Sequence, residues 1–145
     1  MTIPLDEPSL ALQAAIVATL KADGALALLI GERVYDRVPP PVALATAPTF
    51  PYVTVGDDQV SGAHAECLEG STEVFATLHA WSRAVGKGEA KRIAGAVVRA
   101  LNYADLTLEN YRLVLIEHDS TRHLDDPDGL TSHSVVTFHA LIDEE

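Results

Sequence analysis

The stretch Ser71 to Ser82 alternates without a slip. Val74, Ala76, Leu78 and Ala80 fall on one face, and Glu73, Phe75, Thr77, His79 and Trp81 on the other. A period of two held this long predicts a strand with one side against a core. That strand commits the chain to a sheet, and the sheet needs something apolar to lie on it. Leu130 to Ile142 repeats the pattern, with Val136, Phe138, Ala140 and Ile142 inward and His133, Thr137 and His139 outward. Tyr111 to Ser120 reads as a further strand. The residues between, Thr121 to Gly129, end on Pro127-Asp128-Gly129, which is turn chemistry. Together these pieces predict a long, protruding antiparallel hairpin.

Two helices supply the cover. Pro8 to Lys21 places Leu12, Ile16 and Leu20 on one stripe with Ala15 beside them. Asp6 is the expected N-cap and Pro8 sits near N1, where its missing N–H costs nothing. Gly24 is the expected stop. Ala25 to Ile30 predicts a turn and a half of helix ended by Gly31, and Arg33 to Asp36 a short strand. The second helix, Glu89 to Leu101, follows the break at Gly86-Lys87-Gly88. Its stripe is Ile93, Val97 and Leu101, with Ala90, Ala94 and Val98 alongside and Lys91, Arg92 and Arg99 facing water. Val38 to Pro51 holds five of the eight prolines and predicts an extended connector, neither helix nor central strand. Tyr52-Val53-Thr54-Val55 begins a strand, and Gly56 to Gly70 is a polar, acidic stretch carrying Asp57, Asp58, Glu66 and Glu69. The expected fold class is α+β, a mostly antiparallel sheet with two main helices on one face and a long C-terminal hairpin. Its 145 residues suit a single domain spanning 1–145.

Composition narrows the function classes. No apolar run approaches the roughly 18 residues of a membrane helix, and no basic n-region opens the chain. The single cysteine, Cys67, excludes an internal disulfide framework and CxxC zinc sites. A net charge of -11 disfavours a nucleic-acid clamp, which needs clustered cations. Lys87, Lys91, Arg92 and Arg99 are the one basic grouping, without interleaved aromatic residues.

Candidate chemistry is sparse. His79, His118 and His139 lie on strands and invite a metal-site reading, and His79 and His139 would approach each other if their strands are neighbours. No HExxH or HxxxH pattern accompanies them. Cys67 sits between carboxylates, which raise a thiol pKa rather than lower it. Asp125-Asp126-Pro127-Asp128-Gly129 lacks the distal glutamate of a calcium loop, since position 12 is Val136. There is no GxSxG elbow and no P-loop. The expectation is therefore no catalytic residue, no metal, no cofactor and no enzymatic activity.

A resemblance supplies what the chemistry does not. Ile16 to Asp23, Gly31-Glu32-Arg33-Val34-Tyr35-Asp36, the Pro39-Pro40-Pro41 hinge, Phe50-Pro51-Tyr52-Val53-Thr54-Val55-Gly56 and Trp81-Ser82-Arg83 occur in an order that carries it. With the helix to Leu101 and the final hairpin, the chain resembles the tail-completion (tail-terminator) proteins of long-tailed phages and phage-like gene transfer agents. That implies a structural virion protein, made in the bacterial cytoplasm and placed at the head-proximal end of a tail. The resemblance further implies a homo-oligomeric ring, commonly hexameric, that caps the tail tube, joins the head–tail connector protein and lets DNA pass through its lumen without specific binding. No membrane partner is implied. The tip residues His123, Leu124, Asp125, Asp126, Pro127, Asp128 and Gly129 are the candidate assembly contacts. Exposed edge strands would let copies pair through their backbones. Two readings stand beside this one: a small metal-dependent hydrolase using strand histidines, and an acidic adaptor or DNA-mimic protein.

Overall fold

A computed structural model describes residues 7–38, 50–62 and 71–144. Asp6, the Pro39-Pro40-Pro41 hinge, Glu66, Cys67 and Glu69 lie outside the described residues. Helix α1 (Pro8–Ala22) has Glu7, not Asp6, as its N-cap. With Pro8 in the first helical position, the cap falls on the residue before it. The Glu7 carboxylate accepts from the Ser9 N–H and hydroxyl. Asp23, not Gly24, ends α1. It adopts extended geometry and its N–H donates to Leu20 O, while its carboxylate accepts from Leu26 N at 2.9 Å. One aspartate thus closes α1 and N-caps α2 (Gly24–Ile30), and the two helices meet at a 78° bend. Gly31 ends α2 at φ 62, the left-handed value that glycine takes without a Cβ penalty.

The strands are β1 (Val34–Tyr35), β2 (Tyr52–Gly62), β3 (Ser71–Ser82), β4 (Thr107–Leu108), β5 (Tyr111–Asp125) and β6 (Ser132–Glu144). Helix α3 (Gly88–Leu101) lies between β3 and β4 in the chain. They form one sheet ordered β1-β2-β3-β6-β5-β4, antiparallel except for the β1–β2 pair. The faces are those the alternation predicts: Val74, Leu78, Ala80, Val136, Phe138, Ala140 and Ile142 are buried. Above them lie the α1 stripe Leu12, Ile16 and Leu20 and the α3 stripe Ile93, Val97 and Leu101, all in one cluster. Alanines at 76, 80 and 140 keep the sheet surface shallow, which lets α3 lie close. Ser82 fixes its start: the buried hydroxyl donates to Glu89 Oε1 at 2.7 Å in the first helical turn.

Three elements depart from expectation. Gly56 to Gly62 is strand rather than loop, because β3 offers it a ladder from Asp58↔Ala76 to Gly62↔Thr72, across a bulge after Val55. Strand β5 continues past Ser120 to Asp125 for the same reason, with Thr121↔Val136 through Asp125↔Ser132. Weak strand formers such as Asp and Ser are carried by a long partner. The two-residue β4 has no signature in the sequence.

Candidate assembly surfaces

The hairpin tip is shorter and firmer than the sequence suggests. His123, Leu124 and Asp125 are ladder residues, leaving 126–131 as the loop. Asp126 N donates to Thr131 O at 2.9 Å. Asp128 folds the turn from within: its carboxylate accepts from the N–H groups of Leu130 and Thr131 and from the Thr131 hydroxyl, at 2.8–2.9 Å. Those three donors, the Leu130 N–H foremost, hold its pKa below the usual aspartate value. Lys87 pairs with Asp125 at 3.2 Å, and Ser132 Oγ donates to Gly86 O, tying the tip to the loop before α3. His123 Nδ1 meets Ser134 Oγ at 2.7 Å, and burial, then Lys91 and Lys87, push its pKa down. Beyond this framework two apolar side chains project: Leu130 is 70% exposed and Val85 fully so. They flank an open cleft of about 460 Å3 shared with Arg83 and Asp125. Nothing in the sequence pairs Val85 with Leu130, which lie far apart along the chain.

The sheet face away from the helices carries an aromatic stripe. Trp81 stacks on His133 with centroids 3.8 Å apart and planes 11° from parallel, and its Nε1 donates to Thr54 Oγ1 at 3.0 Å. Tyr52 continues the stripe towards Phe50 and Tyr35. Two imidazoles do meet here, but they are His79 and His133, Nδ1 to Nε2 at 2.5 Å. His139 does not join His79, because its place along β6 is opposite Phe75. It lies between Glu73 at 2.9 Å and Glu117 at 3.3 Å. His118 contacts Thr121 Oγ1 at 2.6 Å. Among the described residues no group of three or more His, Cys, Asp or Glu side chains is arranged to hold a metal ion.

The His79–His133 contact has a pH signature. One ring donates and the other accepts, so the contact is lost when both rings are protonated and neither nitrogen can accept. Burial lowers the His79 pKa, opposed by Asp57. Burial and then His79 lower that of His133, opposed by Asp126. Both rings therefore titrate lower in the folded chain than in the unfolded one. Their contribution to stability is complete above the unfolded value of about 6.5 and is lost as pH falls through the lower folded values. His133→Phe keeps a ring on Trp81 and removes the His133 titration and the contact with His79. In urea unfolding at pH 7.5, 6.5 and 5.5, the wild type should lose stability relative to this variant as pH falls. A difference constant with pH would contradict the assignment.

Gly56 makes room for His79 at the β2 bulge. A Cβ there would lie 2.3 Å from His79 Nε2 and 3.3 Å from Thr77 O. The ring is held by His133 and stacks beside Trp81, so it cannot swing aside freely. Gly56→Ala should cost roughly 1–3 kcal/mol as an overpacked site. It should also shift the fluorescence of the single tryptophan. Unchanged emission and midpoint would show that the ring is free to move.

Helix α1 is apolar around most of its circumference. Leu10, Ala14 and Ala18 face outward, and Val17, Tyr35 and Lys21 border an open groove of about 560 Å3. Helices apolar on all sides are normally covered.

Comparison with known proteins gives the family. No curated protein sequence matches the chain significantly. Residues 14–143 match the family described as Tail completion protein gp17. Among solved structures, a chain of the virion of a native gene transfer agent particle superposes with a TM-score of 0.79 at 32% identity, covering 92% of this chain and 96% of that one. The aromatic stripe, the firm tip and the α1 face left open among the described residues thus belong to a component of a larger particle. This chain belongs to the Tail completion protein gp17 family and is a structural tail protein of a virion or phage-like particle.

Proposed function

We propose that this protein is the ring-forming terminator of the tail, acting as one domain without catalysis. Copies, six in the commonest arrangement, cap the finished tail tube and join it to the head connector. The observation that carries this reading is the family match over residues 14–143, together with the close fold likeness to a chain of a gene transfer agent virion. Charge supports it. A net charge of -11 disfavours holding phosphates, and carboxylates around a lumen would let DNA slide through without holding it. The tip, His123 to Gly129 with Leu130, is the docking element towards a neighbouring copy, the tube or the connector. A reconstruction of the particle should show this chain as a closed ring at the head–tail junction. Loss of the gene should leave separate heads and tails. A single copy, or its absence from that junction, would overturn the proposal.

A further inference from the structure

The two long strands next to the sheet edges are each covered for only part of their length. Strand β1 pairs with β2 at Val53 and Thr54 alone. Beyond the bulge, residues 57–62 have no main-chain partner on their outer side among the described residues. At the other edge, β4 covers Tyr111 and Arg112. Tyr103 N then donates to Ile116 O, and His118 N to Asn102 Oδ1. From 119 to 125 the outer side of β5 is open among the described residues. Unpaired edges of this length are templates for another strand.

The free segments sit at diagonally opposite corners. Gln59 lies level, through Phe75 and His139, with Glu117, whereas the free part of β5 runs on to Asp125, opposite Ser132 at the Tyr52 end of the sheet. Their charge patterns differ. Residues 57–62 carry Asp57 and Asp58 and no cation. The free part of β5 carries Arg122 and His123 between Asp119 and Asp125 at its two ends, and beside its middle Lys91 and Arg99 of α3 line a shallow groove with Thr121 and His123. This is the basic grouping of the sequence, set along an edge.

Resting on the ring reading, we propose that adjacent copies join edge to edge, 57–62 of one antiparallel to 119–124 of the next, with Gln59 opposite Arg122 and Asp58 opposite His123. Parity allows this register and excludes those one residue away, and the lysines beside His123 favour placing Asp58 there. Gln59 pairs with Phe75 and Arg122 with Val135, both on the open face; Asp58 and His123 pair with the inner-face residues Ala76 and Ser134. A continued sheet must keep matching faces together. Within its own sheet Gln59 is level with Glu117, yet it meets Arg122 of the next copy, so each copy is stepped along the strand direction. Closure of a sheet into a barrel requires such a step. The two edges differ, so the contact is heterologous and can propagate into a ring.

The test uses the full chain with Cys67→Ser. Gln59→Cys combined with Arg122→Cys should give a ladder of disulfide-linked multimers under oxidation, in assembled particles or concentrated protein. Either single change, or Val60→Cys with Arg122→Cys, should not. Amides of 57–62 and 119–124 in the unsubstituted chain should gain exchange protection on assembly. Asp58→Lys should raise the concentration needed for assembly roughly tenfold, since the new cation then lies near Lys91 and Lys87 beside His123. Rings that form without the ladder or the protection would overturn the edge contact and leave the terminator reading intact. Monomer under every condition, tail tubes included, would overturn both.

Discussion

Phe138→Ala should lower the unfolding free energy by about 3–5 kcal/mol, the cost of deleting a large buried ring and leaving a cavity. Phe138 is fully buried at the centre of β6, on the face beneath the helices. Strand β6 is flanked on both sides, by β3 and β5, so its backbone cannot shift inward to fill the space. Leu20→Ala should cost about 2–5 kcal/mol, because Leu20 is fully buried in the last turn of α1. Val97→Ala on α3 removes fewer atoms and should cost less. For a chain of this size each kcal/mol shifts Tm by roughly 2–4 °C, so the phenylalanine change should be plain in a thermal scan. Denaturant unfolding of the three variants checks the order. Midpoints within error of wild type would mean that these stripes are not the core.

Replacing the loop 126–131 by Asn-Gly should abolish the joining of tails to heads while changing monomer stability by less than about 1 kcal/mol. The loop's hydrogen bonds are mostly internal, centred on Asp128, with Arg83 Nε donating to Thr131 Oγ1 from outside it at 3.3 Å, and its side chains contribute little to the buried cluster. A two-residue turn suits the flanking antiparallel strands. The change removes Leu130, whose exposure signals a contact made elsewhere, and leaves the β5 edge in place. Counting complete particles against free tails by electron microscopy, with urea unfolding of the isolated chain, separates the two effects. Normal numbers of complete particles would show that the tip is dispensable.

What could be read in the sequence was whatever depends on neighbours along the chain. The alternation in Ser71–Ser82 and in residues 132–142 assigned inward and outward faces that the fold keeps. The stripes Leu12-Ile16-Leu20 and Ile93-Val97-Leu101 named the helical core. Gly31 at φ 62 ended α2 where its missing Cβ predicted. The order of short motifs was enough to place the family. These signals are local, set by period, φ preference and side-chain branching.

Everything that needed a partner strand was decided by the tertiary structure. Residues 57–62 look like a loop because Asp, Ser and Gly are poor strand formers, and 121–125 because they lead into the turn Pro127-Asp128-Gly129. They are strands because β3 and β6 present long ladders of hydrogen-bonding groups beside them. His79, His133 and His139 were rightly placed on the outer face, but register alone chose which of them meet. A β-strand shows its period to the reader and hides its neighbour. The pairing of His79 with His133, the isolation of His139 between two glutamates, and the open edges at opposite corners therefore follow from sheet order. Non-local hydrogen bonding sets that order, and no window of sequence contains it.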